Sequence, residues 1–204
     1  MNTKKTQLIL IDRNLGMQEA WKEYFAGEPS VKIIKGDIKD VSCDTIVSPA
    51  NSFGFMDGGI DYAISEKLGW SLQEELQKQI RALPMRELLI GQTLVLETGS
   101  EEIPYLISAP TMRVPMSFNI ASSVNAYLAM KAIMLAVTSH PQMKKVAIPG
   151  LCTGVGRMPY KISAIQMYRA YQEIFLGKKP HFTEFGQTQK YQIDLNPEGM
   201  IYDW

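Results

Sequence analysis

Two glycine-bearing loops, about a hundred residues apart, constrain this chain more than any other feature of its sequence. Each loop follows a short apolar run typical of a buried strand. Residues 44–51 (DTIVSPAN) lead to residues 56–61 (MDGGID), and residues 146–150 (VAIPG) lead to residues 151–159 (LCTGVGRMP). Glycine at the C-terminal end of a strand, before a helix, allows backbone N–H groups to approach a phosphate at the positive end of that helix. Two such loops can close on a diphosphate from both sides, which indicates a nucleotide-diphosphate site.

The pattern around these loops predicts an α/β fold, because short β-branched runs alternate with amphipathic stretches. The interior runs are apolar at successive positions, which suits strands covered on both faces. We predict strands at residues 7–11, 31–35, 45–48, 92–96, 105–109 and 145–148, and helices at residues 17–25, 60–68, 71–82, 120–138 and 160–175.

The composition changes after residue 176, where Pro, Gly, Gln and scattered aromatic residues become frequent. We therefore predict one domain over residues 1–176 and an irregular C-terminal tail over residues 177–204. Four apolar residues of the tail favour packing on the domain over a free segment: Tyr191, Ile201, Tyr202 and Trp204.

Charge and cysteine usage exclude several classes of protein. Lys+Arg and Asp+Glu number 21 each, so the sequence as a whole has no basic footprint for nucleic acid. No run approaches the roughly 18 apolar residues of a membrane span, and the N-terminus lacks the features of a signal peptide. Cys43 and Cys152 cannot form a disulfide framework, and His140 and His181 show no metal-ligand spacing. We expect a cytoplasmic protein without a metal or cofactor.

Two polar side chains stand where predicted strands end. Asp37, in residues 35–38 (KGDI), follows the second strand, at the edge where open α/β sheets bind ligands. Its carboxylate could accept hydrogen bonds from an exocyclic amine such as that of adenine, although aspartate after glycine is also common in turns. Asn51 precedes the first glycine loop, and its amide suits ribose hydroxyls and an ordered water. Ordinary loop geometry explains Asn51 equally well.

Charged and thiol side chains in the two loops offer further chemistry. Asp61 lies near the start of a helix and could act as a general base or orient water. Its structural explanation is that the helix dipole favours an acidic residue at this end. Asp57 has the same structural explanation and a weaker functional one. Arg157 could add charge-assisted hydrogen bonds to a phosphate. Cys152 has no assignable basic partner, which favours a small loop residue over a nucleophile.

Taken together, these segments resemble a macrodomain, a module that binds ADP-ribose and its derivatives. The order and spacing of the motifs match, and the resemblance covers roughly residues 5–176. It implies a three-layer α/β/α fold with a mixed, mainly parallel central sheet.

The resemblance also implies roles for individual residues. Asp37 would hold the adenine amine, and Asn51 would contact the distal ribose. Ile38, which follows Asp37, is a further predicted ligand contact. Asp61 falls on the position of an aspartate that helps MacroD-type hydrolases remove ADP-ribose from acidic side chains. The resemblance implies contacts to the diphosphate and distal ribose from residues of both loops: Gly58, Gly59, Ile60, Thr153, Gly154 and Val155. We also predict ligand contacts from Cys152, Gly156 and Arg157 of the second loop.

The chain departs from the family pattern at three points. Ser48 begins the segment that usually starts with asparagine, Met56 and Asp57 precede only two glycines, and Gly156 and Arg157 replace an aromatic-glycine pair. The expected function is binding of ADP-ribose or a related NAD-derived nucleotide, with hydrolysis of an ADP-ribosyl bond. Asn51 and Asp61 are the expected catalytic residues, which would position the distal ribose and a water near its anomeric carbon. The alternatives are a non-catalytic reader or sequestering module, an ADP-ribose-1″-phosphate phosphatase favoured by Arg157, and an interaction scaffold with an idle pocket. The expected partner is ADP-ribose or an ADP-ribosylated substrate, with no membrane involved.

Overall fold

A mixed sheet forms the centre of the chain in the computed structural model, which describes residues 6–116 and 120–197. Within these residues the sheet has six strands in the order β2-β1-β6-β3-β5-β4. Only β4 runs antiparallel to its neighbour, and the other pairings are parallel. The predicted mixed, mainly parallel sheet is confirmed. The strands are β1 (Gln7–Asp12), β2 (Val31–Lys35), β3 (Thr45–Ser48), β4 (Leu94–Glu97), β5 (Tyr105–Ser108) and β6 (Lys145–Ile148).

Helices cover both faces of this sheet. Their bounds are α1 (Leu15–Phe25), α2 (Gly59–Leu68), α3 (Ser71–Ala82), α4 (Asn125–Ser139), α5 (Tyr160–Ile174) and α6 (Phe185–Leu195). Buried side chains of α1, α4 and α5 pack in one apolar cluster with one face of the strands. Side chains of α2 and α3 pack in a second cluster on the other face. The three-layer α/β/α arrangement is therefore confirmed.

Strand β1 shows why its sequence is an unbroken apolar run. Leu8 and Leu10 belong to the cluster under α1, α4 and α5, whereas Ile9 and Ile11 belong to the cluster under α2 and α3. Successive side chains of a strand point to opposite faces, so a strand covered on both sides needs apolar residues at every position. The polar residues that follow β1 and its parallel neighbours then collect at one edge of the sheet.

The predicted starts of α4 and β4 were wrong, for local reasons. Helix α4 begins at Asn125 and not at residue 120. The backbone at Ile120 follows a different path, because its N–H donates to the Gly156 carbonyl at 3.0 Å. Strand β4 begins at Leu94 and not at residue 92. Gln92 closes a turn there, since its N–H donates to the Leu89 carbonyl and its side chain accepts from the Leu89 N–H.

The predicted irregular tail was also wrong over residues 185–195, which form α6. The helix carries one buried side chain, Leu195, so its apolar periodicity is too weak to signal a helix. The Tyr191 hydroxyl donates to Glu173 of α5, and Asn196 donates to residues before α4. The other predicted tail anchors, at positions 201, 202 and 204, lie outside the described residues. Within the described part of the chain, no helix has the length and apolar character needed to cross a membrane.

Candidate ligand-binding cavity

A cavity of about 830 Å³ lies at the edge of the sheet where the parallel strands end. Cavities of this size are typical of small-molecule sites. Its walls come from the ends of β1, β3 and β6, the start of α2 and the segment after β5. The predicted site residues that line it are Asn51, Gly58, Gly59, Ile60, Asp61, Cys152, Thr153, Gly154, Val155 and Gly156. The two glycine loops therefore meet at one cavity.

Three predicted ligand contacts lie outside the cavity lining. Ile38 is buried in the core, and Arg157 is exposed beyond the second loop. Asp37 caps a short 3₁₀ turn: one carboxylate oxygen accepts from the Lys39 N–H at 3.1 Å, and the other pairs with the guanidinium of Arg13. Both oxygens of Asp37 thus have protein partners, and its contact with adenine stays a prediction.

A polar cluster that begins with Asp12, the last residue of β1, lines the cavity and was missed from the sequence. The Asp12 carboxylate accepts from the backbone N–H of Asn14 at 2.8 Å. The side-chain oxygen of Asn14 caps α1 by accepting from the Gly16 N–H at 2.9 Å. The Asn14 amide donates to the Tyr160 hydroxyl at 2.6 Å. The available signal was the position of Asp12 and Asn14 at the C-terminal end of a buried strand, where α/β sheets bind ligands.

The first glycine loop directs the positive end of α2 at the cavity. Gly58 occupies the N-cap position and has no side chain that could accept a hydrogen bond. The first N–H groups of α2 can therefore donate to another partner. Gly59 has a φ of 57°, in the left-handed region that favours glycine. A Cβ on either glycine would meet no atom within 4 Å. This open helix end is suited to an anionic group.

The second glycine loop is held by hydrogen bonds to its own carbonyl groups. The Arg157 N–H donates to Gly154 at 3.1 Å, and the Met158 N–H donates to Cys152 at 3.0 Å. Gly156 is required for packing, since a Cβ there would lie 2.7 Å from the Cys152 carbonyl oxygen. The loop is therefore a closed backbone turn of defined shape.

The charges around the cavity are acidic. Its lining within the described residues includes Asp12, Asp57 and Asp61 and contains no lysine or arginine. Side-chain cations therefore do not neutralise an anionic ligand at these walls. Backbone N–H groups and the end of α2 are the groups that can do so.

Asp61 is a buried carboxyl group in the cavity wall. It is 8% exposed, and the Ser48 hydroxyl donates to its Oδ1 at 2.5 Å. Burial raises the pKa of Asp61 to about 7, the Ser48 hydrogen bond opposes that rise, and the charge of Asp57 adds to it. Ser48, a departure from the family pattern, thus holds and orients the Asp61 carboxylate.

The raised pKa of Asp61 predicts a stability that falls with pH. Its contribution is fully present below pH 3.8 and is lost as the pH rises through about 7, because the folded protein must then hold a buried charge. The free energy of unfolding falls by on the order of 4 kcal/mol over this pH range. Asp61→Asn should therefore be more stable than wild type at pH 8 and lose that advantage at pH 4.

Urea unfolding at pH 4, 6 and 8 measures this difference in the free energy of unfolding. The matched control is Asp194→Asn, which removes an exposed carboxylate on α6. Parallel pH profiles for wild type and Asp61→Asn would contradict the buried-carboxyl interpretation.

The side chain of Asn51 makes three hydrogen bonds to the backbone of the first loop. Its carbonyl oxygen accepts from the N–H groups of Phe53 at 3.1 Å and Phe55 at 3.3 Å, and its amide donates to the Phe55 carbonyl at 2.8 Å. One amide hydrogen remains for a ligand in the cavity. Asn51 therefore shapes the loop, and its contact with ribose stays a prediction.

Cys152 lies in the wall of the cavity with a φ of 65°. Burial raises the pKa of its thiol, so the nucleophilic thiolate is disfavoured at neutral pH. This supports the interpretation of Cys152 as a small loop residue. Within residues 6–116 and 120–197, no group of three His, Cys, Asp or Glu side chains is placed to hold a metal ion.

Comparison with known proteins identifies the family. The model of the Macro domain matches residues 47–167, more than half of the 204 residues. A protein of Aquifex aeolicus is 34% identical over 137 residues, which cover 67% of this chain and 78% of the relative. The Oceanobacillus iheyensis macrodomain with ADP superposes with a TM-score of 0.59 at 19% identity, covering 78% of this chain and 89% of that chain. Thermosipho africanus DarTG in complex with ADP-ribose gives a TM-score of 0.54 at 17% identity, covering 68% of this chain and 37% of that chain. The two solved structures have the same fold, and the match to the Macro domain model over more than half of the chain shows that the chain belongs to the macro domain family.

Proposed function

We propose that this protein binds ADP-ribose or a related NAD-derived nucleotide in the cavity between its glycine loops. The observation that carries the proposal is the meeting of both loops and the open end of α2 at one cavity of about 830 Å³. This arrangement offers backbone donors to a diphosphate without side-chain cations. The solved relatives that contain ADP and ADP-ribose support the choice of ligand.

The proposed reaction is hydrolysis of an ADP-ribosyl bond, with Asp61 as general base. Ser48 occupies Oδ1 of Asp61, which leaves Oδ2 for a water molecule in the cavity. The water oxygen bonds to the anomeric carbon of the distal ribose while the bond to the carboxylate of the modified side chain breaks. Asp61 takes the proton of the water. A pKa near the working pH suits a residue in this role.

The first experiment is calorimetric titration with ADP-ribose, with AMP as the control ligand. We expect one-to-one binding of ADP-ribose that is much tighter than binding of AMP, because AMP lacks the second phosphate and the distal ribose. Absence of heat and of a thermal shift with ADP-ribose would contradict the proposal. A peptide ADP-ribosylated on an acidic side chain then tests hydrolysis through release of free ADP-ribose.

One observation favours a second candidate, a reader that binds without turnover. The Asn51 amide is largely committed to its own loop and offers the reaction a single donor. Tight ADP-ribose binding without release from the peptide would support this candidate. The phosphatase alternative loses its motivation, because Arg157 does not line the cavity and the lining carboxylates disfavour an extra phosphate.

A further inference from the structure

We infer that Asn196, at the end of α6, is a positioning residue for the second glycine loop. The identity of the ligand, ADP-ribose, rests on the proposed function. The link between Asn196 and the loop rests on the contacts described below. It assigns a role in ligand binding to a C-terminal segment that does not itself line the cavity.

Asn196 holds the segment that precedes α4. Its side-chain nitrogen donates to the carbonyl oxygens of Ala121 at 2.5 Å and Ser123 at 2.9 Å. Both partners are acceptors, so the atom that faces them must be the amide nitrogen. Gln166 of α5 donates to the same Ser123 carbonyl at 2.9 Å. Asn196 is 4% exposed, so water does not readily replace it.

The same segment forms the back of the second glycine loop. The Ile120 N–H donates to the Gly156 carbonyl at 3.0 Å. The Ile120 side chain fills the space beside that glycine, since a Cβ on Gly156 would lie 2.7 Å from Ile120 Cδ1. Gly156 lines the cavity. A displacement of residues 120–123 would therefore move the loop that closes on the ligand.

Helix α6 is anchored near its C-terminal end. The Tyr191 hydroxyl donates to the carboxylate of Glu173, which is 3% exposed. That carboxylate also accepts from the Tyr127 hydroxyl at 2.9 Å and pairs with Lys131 at 2.8 Å. Leu195, the last residue of α6, is buried. The Tyr191 hydrogen bond, its ring contact with Tyr127 and the burial of Leu195 thus hold the end of α6 that precedes Asn196.

The test uses the full chain with Asn196→Ala, with Gln189→Ala on an exposed position of the same helix as the matched control. We expect Asn196→Ala to weaken ADP-ribose binding roughly tenfold, the range of coupling between linked sites. Hydrogen exchange at the Ile120 amide, followed by NMR, should accelerate, because its bond to Gly156 loosens. Tyr191→Phe, which keeps the ring and removes the hydroxyl, should shift both measurements in the same direction by less.

The outcomes separate this inference from the proposed function. Wild-type affinity for ADP-ribose in Asn196→Ala would overturn the positioning role while leaving the binding function intact. Failure of the wild type to bind ADP-ribose would overturn the proposed function instead. In that case the Ile120 exchange rate decides: acceleration in Asn196→Ala supports the coupling, and an unchanged rate overturns it.

Discussion

Gly154→Glu is expected to lower ADP-ribose affinity by roughly a hundredfold or more while the domain stays folded. Gly154 lines the cavity, and its φ lies outside the left-handed region. A Cβ at this position would meet no atom within 4 Å, so the backbone accepts a side chain without strain. The glutamate then fills part of the cavity and places a negative charge beside the diphosphate. Like charges brought together at a binding surface cost several kcal/mol.

The matched control for this substitution is Gly186→Glu on α6. Gly186 also has open space around its Cβ position and lies away from the cavity. Calorimetry should find wild-type affinity in this control, and thermal unfolding should be similar in both variants. Retained ADP-ribose affinity in a folded Gly154→Glu protein would show that the second loop does not hold the diphosphate.

Asp61→Asn is expected to reduce turnover of an ADP-ribosylated peptide by roughly a hundredfold or more, the usual contribution of a general base. The amide can still accept from Ser48, because one oxygen remains at that end of the side chain. It cannot take a proton from water. Affinity for free ADP-ribose should change little, so the loss should appear in kcat and not in KM.

The pH dependence of turnover provides a second test of Asp61. In the wild type, kcat should rise as the pH increases through about 7, where Asp61 loses its proton. Ser48→Ala removes a hydrogen bond that favours the charged form, so the same rise should move to higher pH. A flat pH profile, or full turnover in a ligand-binding Asp61→Asn protein, would sink the role of general base.

The two loops show how far local sequence predicts this site. Glycine spacing after a strand is a local property. Gly58, Gly154 and their neighbours line one cavity, and their contacts with a ligand stay a prediction. The use of Asn51 by its own loop was one of two local explanations, and the hydrogen bonds to Phe53 and Phe55 favour it. The exclusion of Arg157 from the lining could not be predicted, because it depends on how the loop turns against Ile120.

The six strands, the first five helices and the positions of the two glycine loops were predicted from the sequence alone, because periodicity and turn residues act over a few positions. The tertiary structure decided the rest. Asn14 meets Tyr160 across 146 positions, and Ser48 meets Asp61 only after β3 and α2 pack together. The pKa of Asp61 follows from that packing, since it depends mainly on how much water the assembled elements exclude. Helix α6 depends likewise on its anchors, because its own sequence buries too little apolar surface to fix it.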